Sequence, residues 1–217
     1  VLMTLTATIT KTTAAWVVGT GNGGLDTGAI AASTWYHVYL IQRTDTGVVD
    51  ALFSTSASSP TMPTNYTKKR RIGSVLTDGS SALNYFTQDG DYFVWATVPA
   101  LNVNTNNPGT GAVSATLSTP LNLTVLAIVN VELNDTGANA RQVLLSDLAQ
   151  GDATPSLTVA PLFTVGSGVG VTALDFGAQV TVRTNTSSQI RYRAISSSAA
   201  LTVRIATVGW FDRRGRG

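Results

Sequence analysis

Strand candidates recur about every 10–20 residues along this chain, with turn signals between them, and that spacing points to an all-β fold. The clearest is Trp35–Gln42. A period of two puts Trp35, His37, Tyr39 and Ile41 on one face and Tyr36, Val38, Leu40 and Gln42 on the other. Both faces are apolar or aromatic, so this strand is expected to be covered on both sides. Thr44-Asp45-Thr46-Gly47 makes a short connection and Val48–Ser54 returns, which predicts a hairpin over Trp35–Ser54.

Composition supports the same class. Glu and Lys are common on the solvent faces of helices, yet Glu132 is the only Glu and Lys11, Lys68 and Lys69 are the only Lys. Thr, Val and Ser abound, and β-branched side chains pack well on a pleated surface. Only 12% of residues are charged and the net charge is +2. There is no Cys, which excludes a disulfide framework, thiolate metal sites and a thiol nucleophile. No apolar run approaches the roughly 20 residues of a membrane-spanning helix, so no membrane insertion is expected. No signal peptide is read at the start. The chain begins at Val1 without an initiator Met, which is read as either the end piece of something longer or a processed product.

Further strands are predicted at Leu2–Thr10, Ala15–Val18, Arg71–Thr77, Ala82–Thr87, Asp91–Ala96, Leu121–Leu133, Arg141–Asp147, Ser156–Phe163, Val169–Asp175, Gln179–Arg183, Gln189–Ile195 and Ala200–Phe211. Arg141–Ala149 is the one place where a short helix competes. Gly19–Gly24 and Pro60–Lys69 read as loops. Asn102–Gly111 (NVNTNNPGTG) is the largest composition break, and it reads as a long loop or a linker. So many short strands are accommodated by an antiparallel β-sandwich of jelly-roll type, or by two smaller sandwiches. The expected division is residues 1–101, a loop or linker at 102–111, a second β-rich half at 112–212, and a basic tail at 213–217.

Leu25-Asp26-Thr27-Gly28-Ala29 has the form in which aspartic proteases present a catalytic carboxylate. That chemistry needs two Asp side chains sharing one proton. Asp-Thr-Gly occurs three times, at Asp26–Gly28, Asp45–Gly47 and Asp135–Gly137. The second and third fall where turns are needed, since an Asp side chain accepts backbone N–H groups and Gly supplies positive φ. Asp26 is therefore expected to be a loop residue holding backbone hydrogen bonds. His37 is the only histidine and lies mid-strand, which favours a hydrogen-bonded core role over a Ser-His-Asp mechanism. One His and no Cys give no transition-metal site. Asp89-Gly90-Asp91 and Asn104–Asn107 offer oxygen atoms for calcium, but the EF-hand pattern is absent. No metal and no cofactor is expected.

Lys68-Lys69-Arg70-Arg71 could neutralise phosphates. It leads into a strand, however, where alternate residues point to opposite faces and the four charges do not form one patch. With no second internal basic run, nucleic acid is not expected as a partner. Trp16, Trp35, Trp95, Trp210, Tyr66, Tyr85 and Tyr92 could stack on sugars, but their scatter across strands favours core or interface. Tyr66, in the irregular Pro60–Lys69 segment, is the aromatic expected to be exposed.

Gly-Asn-Gly-Gly-Leu-Asp-Thr-Gly (21–28), Trp-Tyr-His-Val (35–38), Thr-Gly-Val-Val-Asp (46–50), Met-Pro-Thr-Asn-Tyr (62–66) and Lys-Arg-Arg-Ile-Gly (69–73), within Gly19–Gly79, together with Phe86–Trp95, resemble a module near the C-terminal ends of phage tail-fibre-like virion proteins. The back half, from about Asn102, resembles such proteins only as more of the same β-rich type. The resemblance implies a structural or adhesive component of an extracellular phage particle, commonly a homotrimer, with an N-terminal part attached to other virion proteins. It implies no catalytic residue.

Three functional readings follow. The first is a non-enzymatic tail-fibre or receptor-binding module that mediates host attachment, its partners being copies of itself, other virion proteins and a host-surface glycan. The second is a capsid decoration or head-fibre protein. The third is an enzyme, an aspartic protease or a phage-borne glycan hydrolase drawing on Asp26, Asp45, Asp50, Asp89 and Asp91. Binding is expected on loops at one end of the sandwich, with Asn22, Asp26, Tyr66, Lys68, Lys69, Asn104 and Asn106 as candidates.

Overall fold

The computed structural model describes residues 3–137, 142–156, 158–159 and 174–214. Among them there are strands, turns and bends but no helix. The chain divides into two compact units. One comprises Val1–Asn84 with Arg213–Gly217, and the other comprises Tyr85–Asp212.

The first unit holds β1 (Thr12–Ala15), β2 (Gly23–Leu25), β3 (Trp35–Arg43), β4 (Val49–Ser54) and β5 (Tyr66–Leu76), in the sheet order β1-β2-β4-β3-β5. The hairpin expected at Trp35–Ser54 is present, with Gln42 opposite Val49 and His37 opposite Ser54. Tyr39 and Ile41 of β3, Leu52 of β4 and Tyr66 of β5 bury a core against Trp16 and Met62. Each such side chain taken from water contributes about 1.5–3 kcal/mol. β5 is an edge strand and carries Lys68 to Arg71. Charge on an edge discourages pairing with a foreign strand.

β1 and β2 run parallel, as do β2 and β4. Parallel neighbours usually need a crossover of a dozen or more residues, yet residues 16–22 make this one. A crossover this tight turns main-chain carbonyls inward. Lys11 satisfies them: its Nζ donates to Val17 O at 2.8 Å and Gly19 O at 3.0 Å. The ammonium is neutralised by Asp50 on β4 at 2.9 Å, with both side chains 2% exposed. Asp50 accepts in turn from Gly19 N at 2.9 Å and Ala51 N at 2.7 Å. The Trp16 ring lies 5.3 Å from the ammonium. The close approach also requires small residues. A Cβ on Gly23 would sit 1.9 Å from the Ala15 carbonyl oxygen, and one on Gly24 would sit 2.9 Å from Lys11 Cβ.

The second unit holds β6 (Phe86–Asp89), β7 (Tyr92–Trp95), β8 (Leu101–Asn106), β9 (Val113–Thr116), β10 (Leu126–Asp135), β11 (Val143–Ser146), β12 (Leu174–Arg183), β13 (Gln189–Ala194) and β14 (Leu201–Phe211). One sheet has the order β12-β10-β14-β7-β6, with β8 also paired to β14, and a smaller sheet has the order β11-β13-β9. All these pairings are antiparallel. Inward residues of both sheets share one core: Val129, Val131 and Leu133 of β10, Val203 and Ile205 of β14, and Ile190 and Tyr192 of β13. This is sandwich packing. Phe86, Phe93, Trp95 and Trp210 form a second cluster, with Phe93 and Trp210 stacked at 5.2 Å.

Several expectations are corrected. Of Asn102–Gly111 only 107–111 is loop: β8 spans Leu101–Asn106 and pairs with β14 from Ala206 to Thr202. The division falls instead between Asn84 and Tyr85. The polar composition of β8 misled because its outward positions are Asn and its hydrogen bonds come from the tertiary neighbour. Leu2–Thr10 alternates but pairs with nothing as a strand within its described residues, and β1 begins only at Thr12. Gly23 and Gly24 are strand rather than loop, and β5 starts at Tyr66, inside the segment read as irregular. Val143–Ser146 is a strand, which removes the helix alternative. Ser156–Phe163 and Val169–Asp175 lie mostly outside the described residues. In the basic tail, Arg214 Nη1 reaches Ile72 O at 3.5 Å, at the bulge where β5 skips a partner on β3.

Two tests follow from the crossover. Gly23→Ala forces a methyl into a main-chain oxygen and lowers unfolding stability by about 3 kcal/mol, whereas Gly111→Ala, in open space, stays within about 0.5 kcal/mol; urea unfolding of the two variants reads the difference. Removing one partner of the buried pair, in Lys11→Met or Asp50→Asn, costs about 3–5 kcal/mol. The double variant loses less than the sum of the two, and equal additivity in a double-mutant cycle would show that the pair is not coupled.

Candidate functional site

The residues singled out in the sequence do not converge. Five lie in the first unit, where Asn22, Asp26 and Lys69 are bonded to the main chain. Asp26 accepts from Thr61 N at 2.9 Å and from the Thr27 hydroxyl at 3.4 Å. Gly28 follows with φ +74°, so this Asp-Thr-Gly is turn chemistry as expected. The same holds for Asp45, which accepts from Thr46 N ahead of Gly47 at φ +74°, and for Asp135, which accepts from Gly137 N. Asn22 Nδ2 donates to Val18 O at 2.7 Å, and Lys69 Nζ donates to Ser58 O at 2.7 Å. Lys68 sits opposite Gln42 within β5 rather than on a loop.

Tyr66 is corrected outright. It is 4% exposed, with its ring edge-on to Trp16 at 5.2 Å. Burial and the neighbouring Asp50 raise its pKa. Among the described residues the most exposed aromatic is Tyr85, at 84%. His37 is fully buried, with Nδ1 2.9 Å from the Ser74 hydroxyl, which is the core role expected of it. Among the described residues no three His, Cys, Asp or Glu side chains gather as a metal site.

Tyr39 shows what this unit does with its polar groups. Its hydroxyl donates to Ser56 O at 2.8 Å, fastening the 54–63 connection over the core. Burial pushes its pKa up to about 12, with Arg71 opposing and Asp26 adding to the rise.

Asn104 and Asn106 belong to a different surface, the outer face of the large sheet in the second unit. Both are exposed, and both lie on strand β8 rather than on a loop. Registers across β12, β10, β14 and β8 or β7 set out this face in rows. The first is Asp175, Asn134, Thr202, Asn106; the second is Gly177, Glu132, Arg204, Asn104; the third is Gln179, Asn130, Ala206, Leu101. Beyond them come Thr181, Ile128, Gly209, Val94 and then Arg183, Leu126, Phe211, Tyr92. Arg204 Nη1 donates to Glu132 Oε1 at 2.6 Å, and Gln179 Nε2 donates to Asn130 Oδ1 at 3.1 Å. Asn134 donates to Asp175. The Tyr92 and Phe211 rings stack at 4.8 Å.

Small residues shape this face. Gly177 stands beside Glu132 and Ala206 stands beside Asn130, so the longer side chains around them enclose a shallow trough of about 410 Å³. Gln179 joins its wall to the aromatic end, where Tyr92, Ile128, Thr181 and Phe211 line a second depression. Glu132, Arg204, Asn130, Gln179 and Gly177 were not among the sequence candidates. Their signal was the alternation Val129-Asn130-Val131-Glu132-Leu133-Asn134, which marks a strand with one polar face. No protein-family model matches the chain, and no curated protein matches it significantly.

The raised pKa of Tyr39 has a defined consequence. Its folded value of about 12 exceeds the ordinary 10.0, so the folded state holds its proton more tightly. Its contribution to stability is complete below pH 10 and is lost as pH rises toward about 12. Tyr66 and Tyr192 are shifted the same way by burial. Thermal unfolding across pH 9–12, followed with the phenolate absorbance, is expected to show Tm falling above pH 10, and falling less steeply in Tyr39→Phe. A flat Tm to pH 12 would contradict the assignment.

Proposed function

We propose that this chain is a non-catalytic attachment module of a phage virion, of tail-fibre or receptor-binding type, assembled as a homo-oligomer. The observation that carries this reading is the outer face of the second unit's large sheet. There amides, a carboxylate and a guanidinium stand exposed on long paired strands around a trough, fixed in place by the ladder beneath them. Such a surface suits recognition: it offers donors and acceptors at fixed spacing and pays little ordering entropy on binding. Elsewhere three of the five carboxylates considered for catalysis hold structural hydrogen bonds: Asp26 to Thr61, Asp45 to Arg43 and Asp50 to Lys11. The resemblance of Gly19–Gly79 and Phe86–Trp95 to phage tail-fibre-like proteins points the same way. The third Asp-Thr-Gly and both others serve as turns, which weighs against a protease.

The test is direct. The fluorescently labelled chain is expected to bind intact host cells saturably and to sediment as a trimer, and immunogold electron microscopy is expected to place it on the tail. Gold confined to the head would make it a decoration or head-fibre protein. A monomer that binds no cell surface, or one that degrades the polysaccharide or peptide it meets, would overturn the attachment reading.

A further inference from the structure

We infer that the trough around Glu132 and Arg204 is a binding groove for a neutral oligosaccharide, with its reducing or non-reducing end resting on the Tyr92–Phe211 shelf. The inference rests on the attachment reading only for its biological purpose. The chemistry is argued from the face itself.

Three properties of the trough select the ligand. First, its only charged lining groups are Glu132 and Arg204, which are paired at 2.6 Å and neutralise one another. An anionic ligand would meet the carboxylate and a cationic one the guanidinium, so neither gains a net attraction. Glu132 is the sole Glu of the chain, and the pair stands half-exposed, where it remains open to further hydrogen bonds. Second, the lining combines planar groups that both donate and accept. Asn130 and Gln179 supply amides, the carboxylate accepts in two directions, and the guanidinium donates in a fixed fork. Vicinal hydroxyls, each a donor and an acceptor, match that array. Third, polarity changes along the face. From Glu132 to Leu126 is six residues on β10, about 20 Å, and over that distance the rows pass from Glu132–Arg204 to Leu126–Phe211–Tyr92, where the flanking Arg183 is neutralised by Asp147. A sugar ring has polar edges and apolar C–H faces, so a chain of a few rings finds hydrogen-bonding groups at one end and an aromatic surface at the other. Gln179 lines both depressions and makes the surface continuous.

Gly177 provides the decisive variant. Its backbone is ordinary strand, and an added Cβ would meet only the Val131 carbonyl oxygen at 3.8 Å. A β-branched residue there suits the strand and fills the trough without disturbing the fold. The full chain is titrated by calorimetry with maltohexaose, cellohexaose, hexa-N-acetylchitohexaose and an oligogalacturonate of equal length. At least one neutral oligomer is expected to bind and the anionic one is not. Gly177→Ile is expected to abolish that binding with Tm unchanged. Glu132→Gln and Gln179→Ala are each expected to weaken it about tenfold, the loss of one hydrogen bond to a charged or planar group.

Absence of binding to every neutral oligomer overturns the inference, as does binding that survives Gly177→Ile or a preference for oligogalacturonate. Dissociation of the oligomer by Gly177→Ile would instead make this face an interface between copies, which also overturns it. The cell-binding assay separates this inference from the broader reading. Equal cell binding by wild type and Gly177→Ile overturns the groove's part in attachment and leaves attachment standing, while a wild type that binds oligomer but no cells leaves the groove standing and overturns attachment.

Discussion

The first unit is organised around one buried charge. Lys11 stands just before β1, the chain crosses from β1 to β2 in too few residues for an ordinary parallel connection, and the Lys11 ammonium takes the carbonyl oxygens that such a crossing turns inward. Asp50 is what makes that charge tolerable. It sits on β4, in the hairpin that the rest of the sheet is built on, and it also takes the Gly19 N–H from inside the same crossing. The pair therefore links a local turn to a distant strand. Gly23 and Gly24 are the steric counterpart. They let β2 come close enough to Ala15, Lys11 and Phe53 for the charge to be sealed. A buried pair is rarely worth more than an apolar replacement, but losing one member is severe. Its value here is in fixing which carbonyls the crossing presents and to what.

The second unit depends on length and register instead. β10 and β14 pair along ten positions, interrupted by a bulge between Ile128 and Val129. β14 also takes β7 and β8, one after the other along its length. Gly209 permits the β7 contact, since a Cβ there would lie 2.2 Å from the Phe93 carbonyl oxygen. One strand thereby sets the alignment of three neighbours, and the rows on the outer face are its consequence. Inward Val, Leu and Ile lock the register, because a slip of one residue would drive Glu132 and Arg204 into the core.

What could be read in the sequence follows from this difference. The Trp35–Ser54 hairpin was legible because a local turn and two apolar strands agree. The turn role of Asp-Thr-Gly was legible because Asp and Gly state it locally. The predicted strand Leu2–Thr10 alternates just as well but forms no strand in its described residues, 3–10, and β8 reads as a polar linker although β14 makes it a strand. Alternation shows that a strand can form, not that another strand is waiting. Tyr66 was expected outside because Pro60 and Pro63 precede it, but the bulge at Thr67 turns its ring onto the core face beside Tyr39 and Ile41. Of the outer face, the sequence singles out Asn104 and Asn106 as loop residues, and they stand instead on strand β8. Glu132 and Arg204 lie 72 positions apart and become neighbours only through register.

The proposal that binding uses a sheet face rather than loops has a physical basis in this chain. The loops that looked available are spent: 19 on Asp50, 26–28 and 60–61 on each other, and 56–58 on Tyr39 and Lys69. Their polar groups could serve a ligand only by giving up bonds that hold the first unit together. On the outer face of the second unit the backbone is already satisfied by the ladders on either side, so side chains are free to turn outward at no cost to the fold. Asn130, Glu132 and Arg204 bond one another or their neighbours while unliganded, and those are bonds between exposed groups, which water or a polyol can replace for little. Gly177 and Ala206 add nothing to the core and leave room above the sheet. A position on a strand that could carry any side chain, and carries none, makes best sense where something else is to occupy the space.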